Sequence, residues 1–262
     1  AYDLLEKAEN ASSETQAVKY AKKAYELCPD CFDAACFLSE IEDNAIKRME
    51  ILEQGLETEK QRLQKEGFFE EDYIGVFYGV FETRPYIRGL YRKAIYLMED
   101  GKYTKSIETC KEILHLNESD NTGARYLLMY LYAQREDEES LIELESKYEE
   151  ETFSTLFPMF LLYFKLEDHE KAKEYLHKIN EENPNFLLFF TGDMELEENA
   201  IDGYYQLGQA SEILGYFGTF IMPISFLAAI GDYALTYSEV KKPKKSSSST
   251  KKQGKKKESL AK

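Results

Sequence analysis

The amino-acid sequence predicts an all-α protein built from antiparallel helix pairs that stack side by side. Ala17, Ala21 and Ala24 follow one another at spacings of four and three. Residues at these spacings share one face of a helix, and small side chains there let a partner helix approach closely. The best strand candidate, Phe186–Phe190, is short and follows Pro184, so we expect an extended linker or the start of a helix there.

The same spacing returns further along the chain. The copies are Ala17, Ala21, Ala24 and Leu27 before Pro29; Ser106, Cys110, Ile113 and Leu116 after a turn at Gly101 and Tyr103; and Ala172, Leu176 and Ile179 before Pro184. Ser106 and Ala172 are 66 residues apart, which leaves room for a degenerate repeat of about the tetratricopeptide length between them. The sequence therefore predicts a tetratricopeptide-like α-α superhelix, a right-handed solenoid of antiparallel helix pairs.

Further helices bring the expected total to ten to twelve. They are a short helix over 31–41, a second helix with Ala45, Met49 and Leu52, the pair 120–134 and 138–148, and a helix over 199–214. These elements define a helical repeat domain over residues 1–240. After Val240 the composition changes to Lys, Ser, Pro and Gly, so residues 241–262 are predicted to form a disordered, lysine-rich tail.

Charge divides the two parts. Lys241–Lys262 contains ten Lys and one Glu, whereas residues 1–240 contain 23 basic and 48 acidic residues. An acidic body repels nucleic acid and attracts basic partners, and a basic tail does the reverse. Three roles for the tail stay open: a localising tail, a contact with nucleic acid or another anionic surface, and a segment that folds back on the acidic body.

Two segments are more specific than a generic helical repeat. They are Glu82-Thr83-Arg84-Pro85-Tyr86 and Asp120-Asn121-Thr122-Gly123-Ala124-Arg125-Tyr126-Leu127-Leu128. With these segments the chain resembles the suppression-of-tumorigenicity-seven-related family of tetratricopeptide-like proteins, in its bacterial type, over most of residues 1–230. Many bacterial relatives end in a cysteine- and histidine-rich zinc-binding module, and here a lysine-rich stretch stands in its place. The resemblance implies a helical-repeat fold and a binding role, but no defined activity.

A cationic stripe is the first candidate binding feature. Arg84, Arg88 and Arg92 recur every four residues, a pattern that suits a clamp for a carboxylate or phosphate group. The alternative is an internal network of ion pairs with nearby Glu residues, since Arg favours bidentate pairing whichever group supplies the acid. Arg125 and Tyr126 are expected to join the clamp if the two repeats stack side by side.

Tyrosines are expected to line the groove of the array. The chain has 20 Tyr and no Trp. Tyr suits helix contacts at the edge of a groove, because its ring packs on apolar groups while its hydroxyl stays in contact with water. The candidate partner contacts are Tyr86, Tyr91, Tyr126, Tyr130 and Tyr163, with Arg84 and Arg88 holding an acidic group. Burial of these tyrosines in the core would remove this version of the site.

No catalytic, metal or cofactor site is predicted. The chain has no GxGxxG, P-loop, GxSxG or kinase signature. Cys28 and Cys31 form a CxxC without the second CxxC or nearby His that a zinc site requires. His169 and His177 are eight residues apart, which misses the HExxH metalloprotease spacing. We therefore expect a non-enzymatic protein without cofactors.

The leading hypothesis is a cytoplasmic scaffold whose groove binds a basic peptide or partner protein. The four Cys do not form a disulfide framework, and the sequence has no signal peptide. One alternative is a nucleic-acid- or ribosome-associated factor held by Lys241–Lys262. A second alternative is membrane attachment through the uncharged run Ile213–Gly231. Gly215, Gly218 and Pro223 interrupt this run, so two shorter helices that close the core are expected instead.

Overall fold

The computed structural model describes residues 1–28, 31–198 and 204–238. Within them the chain forms thirteen α-helices and one 3-10 turn, and the only β pairing is a single bridge between Val76 and Asn117. The helices are α1 (Tyr2–Glu9), α2 (Glu14–Leu27), α3 (Phe32–Glu40), α4 (Ala45–Lys65), α5 (Arg84–Glu99), α6 (Tyr103–Leu116), α7 (Ala124–Arg135), α8 (Glu138–Tyr148), α9 (Phe153–Lys165), α10 (His169–Glu182), α11 (Asn185–Thr191), α12 (Ala210–Thr219) and α13 (Ile224–Tyr237). The predicted all-α class is confirmed.

The first ten helices form five consecutive pairs. Each odd-numbered helix packs against the even-numbered helix that follows it, from α1 with α2 to α9 with α10. The first helices of neighbouring pairs also pack on one another: α3 on α5, α5 on α7, and α7 on α9. Stacking of this kind is what a helical-repeat array requires, because no single pair can bury its apolar face alone.

The recurring spacing marks the buried face of the second helices. Its buried positions are Ala17, Ala21 and Ala24 in α2, Ser106, Cys110, Ile113 and Leu116 in α6, and Ala172, Leu176 and Ile179 in α10. The Ser106 hydroxyl donates a hydrogen bond of 2.7 Å to the Ala94 carbonyl oxygen, which joins α6 to α5. Leu27 is an exception, because it ends α2 and is 64% exposed. Pro29 lies outside the described residues.

Predicted boundaries hold for α8 but not for α12. The helix predicted over 199–214 is wrong in its described part, because 204–209 are not helical and α12 begins only at Ala210. Gly208 has a φ of +73°, a conformation that interrupts a right-handed helix. Residues 199–203 lie outside the described part of the chain. Phe186–Phe190 falls within α11, which confirms the expected helix start.

A long connection that the sequence analysis did not anticipate joins α4 to α5. It packs on the core through Phe69 and Phe77, whose ring centroids lie 5.1 Å apart in an edge-to-face arrangement. Arg62 of α4 holds Glu59 through two hydrogen bonds of 2.7 and 2.9 Å and also donates to the Glu82 carbonyl oxygen. The bond to Glu82 ties the end of the connection back to α4.

The uncharged run near the C-terminal end of the array forms parts of two helices, as expected. α12 ends at Thr219, and α13 begins after Pro223. Both pack against α11, and α12 also contacts α9. Across 1–28, 31–198 and 204–238, no helix has the length and apolar character needed to cross a membrane. The predicted boundary at residue 240 and the tail lie outside the described residues.

Candidate functional site

A cleft runs across the first helices of the three N-terminal pairs and encloses about 610 Å³. Its lining comprises Asp3, Leu5, Glu6 and Glu9 of α1, Asp33, Cys36, Phe37 and Glu40 of α3, and Pro85, Arg88 and Arg92 of α5. Within each helix most of these residues are three or four positions apart, so each helix presents one face to the cleft. The stacking of the first helices thus builds the cleft, which we call the inner cleft.

Close helix packing fixes the shape of the inner cleft. Gly89 of α5 faces Phe32 of α3, and a Cβ atom on Gly89 would lie 2.2 Å from the Phe32 Cζ atom. On α4, a Cβ atom on Gly55 would lie 2.7 Å from the Ala35 Cβ atom of α3. Because real Cβ atoms do not approach so closely, both positions need glycine. Leu5 is buried and Phe37 is half-buried, so the floor between the charged groups is apolar.

The inner cleft is acidic. Five of its lining residues carry carboxylates and two carry guanidinium groups. Arg92 pairs with Glu40, which offsets one charge of each sign. Among the ion pairs of the described residues, none involves Asp3, Glu6, Glu9 or Asp33. These four carboxylates give the cleft a negative field that attracts cationic groups.

The one thiol of the inner cleft is a poor nucleophile. Burial raises the pKa of Cys36 to about 12, and the thiolate is the reactive form. The features that distinguish the cleft are its carboxylates and its apolar floor. Cys28 and Cys31 are both unpaired thiols, and no group of three or more His, Cys, Asp or Glu in the described residues could hold a metal ion.

The structure gives the three arginines of the predicted stripe different surroundings. The Arg84 Nε atom donates a hydrogen bond of 2.7 Å to the Tyr78 carbonyl oxygen, and its guanidinium lies 5.5 Å from the ring centroids of Tyr78 and Phe81. Arg84 thus holds the connection before α5. Arg88 is exposed in the inner cleft. Arg92 forms an ion pair with Glu40. For this residue the structure agrees with the alternative interpretation, in which the arginines pair with nearby Glu residues of the same chain.

Arg125 and Tyr126 lie in a separate network at the start of α7. The Arg125 guanidinium lies 2.9 Å from Asp120 Oδ2 and 2.8 Å from Glu150 Oε2, and 4.2 Å from the Tyr126 ring centroid. None of these partners contacts Arg84 in the described residues. The expected union of Arg125 and Tyr126 with the arginine stripe is therefore not observed, because Arg125 pairs with Asp120 before α7 and both side chains bind Glu150 between α8 and α9.

Three of the five candidate tyrosines lie in the core. Tyr86 and Tyr130 are each 2% exposed, and Tyr163 is 4% exposed. Burial corrects the expectation that these three side chains contact a partner. Their rings pack instead on other aromatic residues, with Tyr163 stacked 5.7 Å from Tyr175. Tyr91 and Tyr126 are half-buried.

The chain itself covers the inner surface of the later pairs. Phe220, which follows α12, stacks on Tyr130 of α7 with ring centroids 5.1 Å apart, and the Tyr130 hydroxyl donates to the Ile221 carbonyl oxygen at 3.3 Å. Phe217 of α12 contacts Phe157 of α9 edge to face at 5.3 Å. The sequence predicted that this uncharged run forms two shorter helices that close the core, but it did not predict which earlier helices they pack against. In the described part of the chain, α11–α13 do not extend over the first three pairs, where the inner cleft lies.

Fold and cleft together define an all-α helical-repeat protein with an acidic cleft. Residues 60–212, from α4 into α12, match the family described as transcriptional repressor TCF25. Because this match spans more than half of the chain, the chain belongs to that family. The match does not support the resemblance to the suppression-of-tumorigenicity-seven-related family that the sequence analysis described. A search of the curated proteins finds no match.

Proposed function

We propose that this chain is a non-enzymatic protein-interaction scaffold of a transcription-related regulator, and that its inner cleft binds a basic segment of a partner protein. The observation that carries the proposal is a set of four carboxylates around an apolar floor that have no ion-pair partner among the described residues, namely Asp3, Glu6, Glu9 and Asp33. Lys and Arg suit such a surface because their stems pack on apolar groups while their charged ends meet carboxylates.

The energetics favour a modest affinity that depends on salt. Exposed ion pairs contribute about 0.2–1 kcal/mol each, so several must act together with contact on Leu5 and Phe37. Arg88 adds a selective element, since it would repel a cation beside it and attract an acidic group. A segment with Lys or Arg residues and one acid placed opposite Arg88 complements this charge arrangement.

The family description supports a regulatory role exercised through protein contacts. TCF25 is described as a transcriptional repressor, and residues 1–240 carry 48 acidic against 23 basic residues. An excess of negative charge opposes direct contact between this body and nucleic acid. The description favours the nucleus as the site of action, whereas cysteine usage pointed to the cytoplasm, and both compartments keep thiols reduced.

The test is the affinity of the full-length chain for a short fluorescent peptide rich in Lys and Arg, with the ten Lys of Lys241–Lys262 replaced by Gln so that they do not compete with the peptide. The variant Glu6→Gln/Glu9→Gln/Asp33→Asn removes three charges from the inner cleft. We expect it to weaken binding roughly tenfold, since three ion pairs of about 0.5 kcal/mol each correspond to about 1.5 kcal/mol.

The matched control is Glu108→Gln/Glu139→Gln/Glu143→Gln, which removes three charges from exposed positions of α6 and α8. We expect this control to bind the peptide like the parent chain that carries only the Gln replacements in Lys241–Lys262. An equal loss of affinity in both variants would show that the peptide responds to net charge alone, and the proposal would then be wrong.

A further inference from the structure

We infer that the lysine-rich segment Lys241–Lys262 of this chain occupies the inner cleft until a basic partner displaces it. The inference rests on the proposed function, because it assumes that the cleft binds cations. It goes beyond that function because a segment of the same chain would block the cleft against partners.

Charge complementarity is the first argument. The segment has ten Lys and one Glu, and the inner cleft presents four carboxylates that have no ion-pair partner among the described residues. Ser, Gly and Ala make up most of the rest of the segment, so few bulky side chains oppose its entry into the cleft. The half-buried Phe37 and the buried Leu5 lie between the carboxylates and can contact the lysine stems.

Chain length is the second argument. The last described helix, α13, ends at Tyr237, whose ring centroid lies 6.4 Å from that of His169 on α10. The inner cleft is two to four helix pairs away, or roughly 20–40 Å at the usual interaxial distance of about 10 Å. The segment from Glu239 to Lys262 spans up to roughly 80 Å when extended. It is therefore long enough to reach the cleft within the same chain.

Tethering makes self-occupation effective even at low intrinsic affinity. A binding segment joined to its site by a short linker has an effective concentration of about 1 mM. If the cleft binds the free segment with a Kd of about 100 µM, the tethered segment fills roughly nine-tenths of the clefts. A competing peptide would then bind roughly tenfold more weakly than to an empty cleft.

The first test compares full-length chains. In the tail variant all ten lysines of Lys241–Lys262 are replaced by Gln, and the fluorescent Lys- and Arg-rich peptide is the probe. We expect the tail variant to bind the probe about tenfold more tightly than the wild type. This gain should disappear when Glu6→Gln, Glu9→Gln and Asp33→Asn are added, and it should persist when the control substitutions at Glu108, Glu139 and Glu143 are added.

The outcomes separate the two claims. If the tail variant and the wild type bind the probe equally through the inner cleft, self-occupation is wrong while the proposed function stands. If even the tail variant does not bind the probe, both claims fail. If the tail variant loses binding to a single-stranded RNA homopolymer while its affinity for the probe is unchanged, the segment serves nucleic acid and the inference is overturned.

The second test locates the segment directly. A carbodiimide joins Lys amines to nearby carboxylates without a spacer, and mass spectrometry identifies the linked residues. In dilute full-length protein we expect links from Lys241–Lys262 to Asp3, Glu6, Glu9 and Asp33 in preference to Glu108, Glu139 and Glu143. A mixture of ¹⁵N-labelled and unlabelled chains distinguishes links within one chain from links between copies. Links spread evenly over the acidic surface, or formed only between copies, would overturn the inference.

Discussion

Asp120 organises the start of α7 from a buried position. Its carboxylate accepts hydrogen bonds from the backbone N–H groups of Ala124 and Arg125 at 2.7 and 3.0 Å. The Asp120 side chain is fully shielded from solvent, whereas that of Arg125 is 16% exposed. Burial of an ionised carboxylate is costly unless a cation compensates its charge, and Arg125 supplies that cation to Asp120 while also pairing with Glu150. The specific segment that contains both residues is therefore a structural motif of the array.

Replacement of Arg125 tests this role. Arg125→Ala leaves the Asp120 charge buried without a cation, and we expect a loss of about 3 kcal/mol in the free energy of unfolding. Arg125→Lys should recover only part of that loss, because an ammonium group cannot reach Asp120 and Glu150 in the planar geometry of a guanidinium. Urea denaturation measures both values. A loss below about 1 kcal/mol for Arg125→Ala, the level of a surface pair, would contradict the assignment.

Glu212 is a second buried carboxylate, and it has no cationic partner among the described residues. Its Oε2 atom accepts hydrogen bonds from Asn183 Nδ2 at 2.9 Å and from the Gly208 backbone N–H at 2.8 Å, and Oε1 has no partner within the protein. Burial raises the pKa of Glu212 above its ordinary value. Because the folded-state pKa is raised, the protonated form is favoured by folding, and stability falls as pH rises from the unfolded-state value through the folded-state value.

Glu212→Gln should therefore stabilise the protein at neutral and alkaline pH. The amide oxygen can still accept from Asn183 and Gly208, and the buried charge is gone. We expect a larger stability advantage over the wild type at pH 8 than at pH 5, measured by urea unfolding at both values. Glu212→Ala is the contrasting variant, since it leaves the Gly208 N–H and one N–H of the Asn183 amide unpaired, at a cost of about 1–3 kcal/mol each. An advantage of Glu212→Gln that does not depend on pH would contradict the buried-charge argument.

At the scale of helices, close contact between neighbouring first helices holds the inner cleft in shape. Gly89→Ala would place a methyl group against Phe32, and we expect the overpacking to cost about 1–3 kcal/mol. Gly218→Ala is the matched control, because Gly218 lies in α12, is exposed and has no neighbouring atom within 4 Å of an added Cβ. That change should stabilise the protein by up to about 1 kcal/mol. Thermal unfolding of both variants measures the contrast, and equal effects would argue against tight packing of α3 on α5.

The cover that α12 and the residues after it form over α7 makes a separate prediction. Phe220 is 4% exposed and stacks on Tyr130, so Phe220→Ala should cost about 3 kcal/mol. Hydrogen exchange should accelerate in α12 and α13 and stay unchanged in α1–α6. Ile224→Ala is the control, because Ile224 is 88% exposed and a surface change of this kind shifts stability by less than about 0.5 kcal/mol. Uniform acceleration along the whole chain would contradict a local cover.

The sequence predicted the buried residues of a helix best where the helix has a single apolar face. Ser106, Cys110, Ile113 and Leu116 are buried as expected because α6 has one apolar face. Tyr130 and Tyr163 were misplaced because α7 and α9 are buried nearly all round, so that helical periodicity no longer identifies an exposed side. The connection before α5 was missed because its aromatic residues become core only through contacts distant in sequence. The sequence predicted a groove for a basic partner, but among the residues that line the inner cleft it singled out only Arg88 and Arg92.

At the scale of the whole molecule, the two ends of the array differ. The later pairs are covered on their inner surface by α11–α13, whereas the first three pairs leave the inner cleft open. The match to the TCF25 family begins at residue 60, so α1 and α3 contribute to the cleft from outside the matched residues and α5 from inside them. A basic partner is therefore expected to bind near the N-terminal end of the array.

Hydrogen–deuterium exchange of the full-length tail variant, whose own lysines can no longer fill the cleft, tests the central claim most directly when it is measured with and without the Lys- and Arg-rich peptide. Binding in the inner cleft should slow exchange in residues 2–9, 32–40 and 84–99, because the peptide lies across α1, α3 and α5. The later pairs should exchange as they do in the free protein. Protection confined to α7–α13, or none at a peptide concentration that saturates binding, would contradict the account.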